Sequence, residues 1–110
     1  MQDKLENIFS LQKSFEKMMN LDRYPKDVEG KVSALCTAMI HEVVELQRTT
    51  NWKWWKKPMH FNEEEAREEL IDIWHFLVQA SIELNLTPDD ILKEYQRKNE
   101  INRQRQKDGY

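Results

Sequence analysis

The chain has 110 residues, room for one domain spanning 1–110, with 39% hydrophobic and 34% charged residues. That balance excludes a disordered polyelectrolyte, and the formal net charge of −3 argues against a general nucleic-acid binder. One cysteine, Cys36, rules out a disulfide within the chain, and no apolar run approaches the ~20 residues needed to cross a bilayer.

The opening Met1-Gln2-Asp3-Lys4-Leu5-Glu6 carries no signal-peptide pattern, so a cytoplasmic protein with no membrane partner is expected. Hydrophobic spacing predicts helices rather than strands, in an all-α, four-to-five-helix arrangement. The first helix is predicted over Asp3 to Met19, with Leu5, Ile8, Phe9, Leu11, Phe15 and Met18 forming its stripe. The second is predicted over Asp27 to Thr49, with Leu35, Met39, Val43 and Leu46 on one side. Gly30 lowers its propensity without forbidding it, and Cys36 reads as a buried packing thiol. An aromatic and basic loop, Trp52-Lys53-Trp54-Trp55-Lys56, follows, and one or two of its tryptophans are expected in the core. Asn62 reads as the N-cap of a third helix that starts on Glu63, Glu64 and Glu65 and runs to Leu84. Thr87-Pro88-Asp89-Asp90 opens a fourth, running to Lys107, with Gly109 where it ends.

Two acid pairs stand out. At about 100° per residue, acids three apart lie about 60° from one another on a helix. Glu42 and Glu45 therefore share a face bordering the second helix's apolar stripe. Glu69 and Asp72 border the stripe Ala66, Leu70, Ile73 and Leu77 on the third. If the stripes pack together, four carboxylates meet along one seam, and their repulsion is relieved by a hard divalent cation. All-oxygen ligands point to Mg²⁺, or Mn²⁺, which often share their shell with substrate phosphates. Solvated helix flanks are the bland alternative. A di-iron site is another: Asp72-Ile73-Trp74-His75 supplies one half-motif, but such sites need two Glu-x-x-His turns.

On the fourth helix Lys98, Asn102 and Arg105 form one stripe that suits phosphate oxygens or, equally, solvent. Lys53 and Lys56, with Trp52 and Trp55, could close over a phosphate tail or base, and the Gln12 amide could read a base edge.

In this order the pieces resemble the all-α NTP pyrophosphatase superfamily (MazG-like) and, within it, the dimeric dUTPases. The motif Glu-x-x-Glu, spacer, Glu-x-x-Asp reads here as Glu42-Val43-Val44-Glu45 and Glu69-Leu70-Ile71-Asp72. Leu11-Gln12 is similar to the branch's uracil-reading Gln, the Trp52–Lys56 loop to its aromatic–basic loop, and Asp72-Ile73-Trp74-His75-Phe76 to its Asp-x-x-His-Phe run. Tyr95, Lys98, Asn99, Asn102, Arg105, Gln106, Gly109 and Tyr110 resemble its C-terminal motif. The resemblance implies Mg²⁺-dependent hydrolysis of dUTP, and perhaps dUDP, to dUMP. Glu42, Glu45, Glu69 and Asp72 would hold metal, with Glu42 or Glu45 as base. Gln12, Trp52, Lys53, Trp55, Lys56, His75, Lys98, Asn102, Arg105 and Tyr110 would bind substrate, in a homodimer. A pyrophosphohydrolase acting on dCTP or on several NTPs, a non-enzymatic helical module and a nucleic-acid binder remain the alternatives.

Overall fold

The computed structural model describes residues 3–109. Among these it contains four helices and no strand: α1 Lys4–Met18, α2 Val28–Arg48, α3 Glu63–Glu83 and α4 Pro88–Lys107. Each boundary has a local chemical cause. The side chains of Asp3, Asp27, Asn62 and Thr87 accept from backbone N–H groups at the four helix starts. At α4 the pairing is reciprocal, because Asp90 also accepts from the Thr87 N–H at 2.9 Å. Gly30 has a reason beyond propensity: a Cβ there would lie 2.7 Å from Asp27 Oδ1, colliding with the cap of its own helix. The turn after α3 places Asn85 at φ 59°. Asn85 N–H donates to Ile82 and Leu86 N–H to Ser81, closing a Schellman motif with asparagine in the usual glycine place.

The helices α2 and α3 pack together most extensively, α1 lies on α3, and α4 touches only α1 among the described residues. The radius of gyration, 17.4 Å, exceeds the roughly 13 Å of a compact chain this long. The core is thin: Phe9, Leu35, Ala66 and Val78 are buried, accompanied by two amides, Gln12 and Gln79. Part of each predicted stripe on α2 and α3 stays open: Val43 is exposed on α2, and Leu70 and Leu77 on α3, where Leu35 and Ala66 are buried.

Two expectations are corrected by this thinness. Cys36 is exposed rather than buried, because α2 is covered along its α3 side only. The loop tryptophans are all outside the core, with Trp54 86% exposed, because no element packs over residues 51–59. No described helix is long and apolar enough to cross a membrane.

Candidate active site

Packing of α2 on α3 brings the two acid pairs to one place. Glu42, Glu69 and Asp72 each offer a carboxylate oxygen within 4.8 Å of the others. One oxygen of Glu42 and one of Glu69, both Oε2, are buried with no hydrogen-bond partner among the described residues. Loss of solvent pushes the Glu42 carboxyl above its ordinary pKa, and the neighbouring Glu45 and Asp72 charges push it further. Glu69 is raised in the same way, by desolvation first and by Glu45 next. Glu45 is itself exposed and lies outside the trio of converging atoms, yet its charge bears on both neighbours.

Buried oxygens with neither proton donor nor counter-ion are costly. The donor set answers what fits there: oxygen ligands only, with no histidine or thiol in the cluster. Octahedral Mg²⁺ holds oxygens at about 2.1 Å, so ligands across the ion are about 4.2 Å apart. Three carboxylate oxygens within 4.8 Å of one another are near enough for one such ion to be shared among them.

Beside the acids lies a cavity of about 720 Å³, in the range of small-molecule sites. Glu42 and Asp72 line it together with Gln12, Phe15, Tyr24, Leu35, His75, Phe76 and Gln79. The wall thus joins a carboxylate cluster to apolar and aromatic surface and a few amides. Tyr24 is fixed by donating to Glu83 at 2.6 Å, and Lys31 lies over its ring at 5.6 Å. Burial, followed by the Glu83 carboxylate, raises the Tyr24 hydroxyl above its ordinary pKa of 10.0, so it remains a donor. Gln12 and His75, singled out from sequence, meet here: His75 Nδ1 and Gln12 Oε1 are 3.1 Å apart.

The basic loop forms a separate hollow of about 520 Å³, lined by Arg48, Lys53, Lys56, Lys57 and Trp52 among others. Its mouth is tied by Asn51, whose amide donates to Met59 O and accepts from Met59 N, both at 2.8 Å. Trp55 packs edge-on against Trp52 and Trp54, and Lys53 lies over the Trp52 ring at 5.4 Å. None of these loop residues lines the acid-bordered cavity. The same holds for Lys98, Asn102 and Arg105, which are exposed on α4. Tyr110 lies outside the described residues.

Sequence reasoning missed Gln79, Tyr24 and Asn51. Gln79 had a signal, standing four residues after His75 and seven after Asp72 on one helix face. Tyr24 and Asn51 had none, since their partners Glu83 and Met59 are defined only by the fold.

A protein-family model described as dUTPase matches residues 4–89 and 80–110. Searches of curated proteins and of solved structures returned no match. With an all-helical fold and a family match running along nearly the whole chain, this protein belongs to the dUTPase family and is a dUTP diphosphatase, an enzyme that hydrolyses dUTP to dUMP and pyrophosphate.

Proposed function

We propose that Glu42, Glu45, Glu69 and Asp72 form the Mg²⁺-binding centre of this diphosphatase, with Mn²⁺ an acceptable substitute. The observation that carries the reading is the convergence of three carboxylates with two buried, unpartnered oxygens. Bound there, the ion supplies Lewis-acid screening of the triphosphate charge. Glu42 or Glu45 takes the proton from the attacking water. The cavity receives the nucleoside, with Gln12 and His75 in its wall and its apolar side chains against base and deoxyribose. A preference for deoxyribose follows where that wall leaves the 2′-OH no partner.

Trp52, Lys53, Trp55 and Lys56 are assigned to the substrate's phosphates and base from the loop motif, supported by the clustering of four basic side chains in one hollow. Lys98, Asn102, Arg105 and Tyr110 are assigned from the C-terminal motif. Because α4 stands apart from the cavity in one chain, these residues act in a homodimer, where a neighbouring copy brings its α4 to the site. The broad exposed apolar surface supports a dimer: Leu11 is 71% exposed and Ile40 63%. We place the 110 residues as a single domain of the wider all-α NTP pyrophosphatase superfamily, cytoplasmic, with dUDP as a second substrate.

A panel of dUTP, dUDP, dCTP and the other dNTPs, read by phosphate and pyrophosphate release with and without Mg²⁺, tests this. Metal-dependent turnover concentrated on the uracil nucleotides is expected. Equal rates in EDTA would remove the metal centre, and equal rates on dCTP would remove the base preference.

A further inference from the structure

The segment joining α2 to α3 is closed at its base by one side chain, that of Asn51. Just before it, α2 ends on Thr49 and Thr50, whose hydroxyls donate back to Leu46 O at 2.7 Å and Gln47 O at 2.6 Å. Asn51 Nδ2 then donates to Met59 O, and Asn51 Oδ1 accepts from Met59 N–H, both at 2.8 Å. The amide spends a donor and an acceptor on one residue's backbone, as a residue opposite it on an antiparallel strand would. This shortens the free span from residues 49–62 to residues 52–58. Among the described residues no other hydrogen bond joins the two ends of that span. The bonds from Trp54 N–H to Trp52 O and from Lys56 N–H to Lys53 O lie within it. Arg48, Lys53, Lys56 and Lys57 line one hollow here, and none is in an ion pair among the described residues. Like charges gathered in this way repel and would spread a loose loop. Yet Trp55 keeps its edge contacts with Trp52 and Trp54, at 5.9 and 5.6 Å, although all three rings are exposed. No core holds these rings, so closure at the base of the loop does.

We propose that Asn51 is a positioning residue of this diphosphatase, whose clasp on the Met59 backbone holds Trp52, Lys53, Trp55 and Lys56 in their substrate-binding arrangement. The proposal rests on the reading of this loop as substrate-binding. A loop closed beforehand loses less conformational freedom on taking a triphosphate. The clasp therefore acts on affinity rather than on the chemical step. An amide is the group this needs. A carboxylate at position 51 would turn an oxygen toward Met59 O, and alanine would serve neither backbone atom.

The test uses the full chain with Mg²⁺ and compares wild type, Asn51→Ala and Lys53→Ala on dUTP. For Asn51→Ala, KM is expected to rise at least about fivefold, with kcat within about threefold. Its near-ultraviolet circular dichroism should lose tryptophan intensity while the helical signal stays. An unchanged KM overturns the proposal, and so does a raised KM with the tryptophan signal of wild type. A joint fall in kcat and helical signal would mark a general loss of packing and overturn it too. A second arm needs no variant and follows amide hydrogen exchange in wild type. The Met59 N–H, held by Asn51, is expected to be protected at least about tenfold more than the Lys57 N–H, which has no hydrogen bond among the described residues. Equal protection overturns the clasp. Lys53→Ala separates this proposal from the reading beneath it. If KM is unchanged in both variants, the loop does not hold substrate and both fall. A raised KM for Lys53→Ala with a normal one for Asn51→Ala sinks only the role of Asn51.

Discussion

The α2–α3 seam and the helix α4 both contribute to the motif set, and they are held by different forces. In the seam, Leu35 and Ala66 are buried and one oxygen each of Glu42 and Glu69 is drawn out of solvent. No residue of α4 is buried. That helix rests on local devices: the Thr87–Asp90 capping box, Pro88 in the first turn, Arg105 and Lys107 in the last, and bonds such as Arg97 Nε to Glu94 at 2.9 Å and Arg103 Nε to Asn99 at 2.8 Å. The contrast teaches that a helix can be fixed as a helix without being fixed in space. The seam brings Glu42, Glu69 and Asp72 together within one chain, whereas the exposed polar stripe of α4 lines no part of the cavity beside them.

The largest expected effect falls on the seam. Asp72→Asn should lower kcat by about 10²–10³-fold while circular dichroism keeps its helical signal. Near-normal dUTP turnover would break the distinction between the two regions at its stronger side.

On α4, Lys98→Ala should raise KM about tenfold with a smaller change in kcat. Mixing decides whose cavity α4 serves. In an equimolar, re-equilibrated mixture of Asp72→Asn and Lys98→Ala subunits, half the dimers are mixed. If α4 completes the partner's cavity, one of the two sites in each mixed dimer is intact, so at dUTP well below KM, where the Lys98→Ala sites contribute little, about a quarter of wild-type activity returns. No recovery would mean that α4 folds back onto its own chain.

The exposed groove between α1 and α3, lined by Ile8, Leu11, Ile71, Trp74 and Val78, offers a milder break. Ile8→Asp should shift the mass measured by light scattering toward a single chain, and an unchanged mass would move the contact surface elsewhere.

The seam also has a pH signature. The folded chain raises the pKa of Glu42 and Glu69 above the ordinary 4.5, so it binds more protons than the unfolded chain. Their contribution to stability is therefore greatest below that value and is lost as pH rises through the folded values. Without divalent ions, thermal melts from pH 5 to 8 should show a declining Tm, a decline that millimolar Mg²⁺ suppresses. A metal-free Tm that climbs steadily over this range would contradict the crowded-acid picture.

The smallest effect is local to α4. Thr87→Ala removes a cap worth about 1 kcal/mol, the Oγ1 that accepts from the Asp90 N–H at 3.1 Å, while the backbone N–H of residue 87 still holds the Asp90 carboxylate below its ordinary pKa. Tm should fall by a few degrees, with Mg²⁺ affinity at the seam unchanged by calorimetry.

Most helix boundaries were legible because their causes are local: Asp27, Asn62 and Thr87 act on backbone within one turn. The acid cluster was legible for a related reason, since helical spacing alone puts each pair beside an apolar stripe. The exposure of Cys36 and of the loop tryptophans was not legible, because local apolar character does not reveal whether another element arrives to cover it.

By itself, then, the amino-acid order determined four helices, their caps and the faces carrying the acids, since those depend on interactions between near neighbours in the chain. Tertiary structure alone decided which stripes stay half open, that α4 stands clear of the cavity, and that Gln12 meets Gln79 across 67 positions of sequence. Contacts of that separation are set by the packing angle of whole helices, which no short stretch of residues encodes.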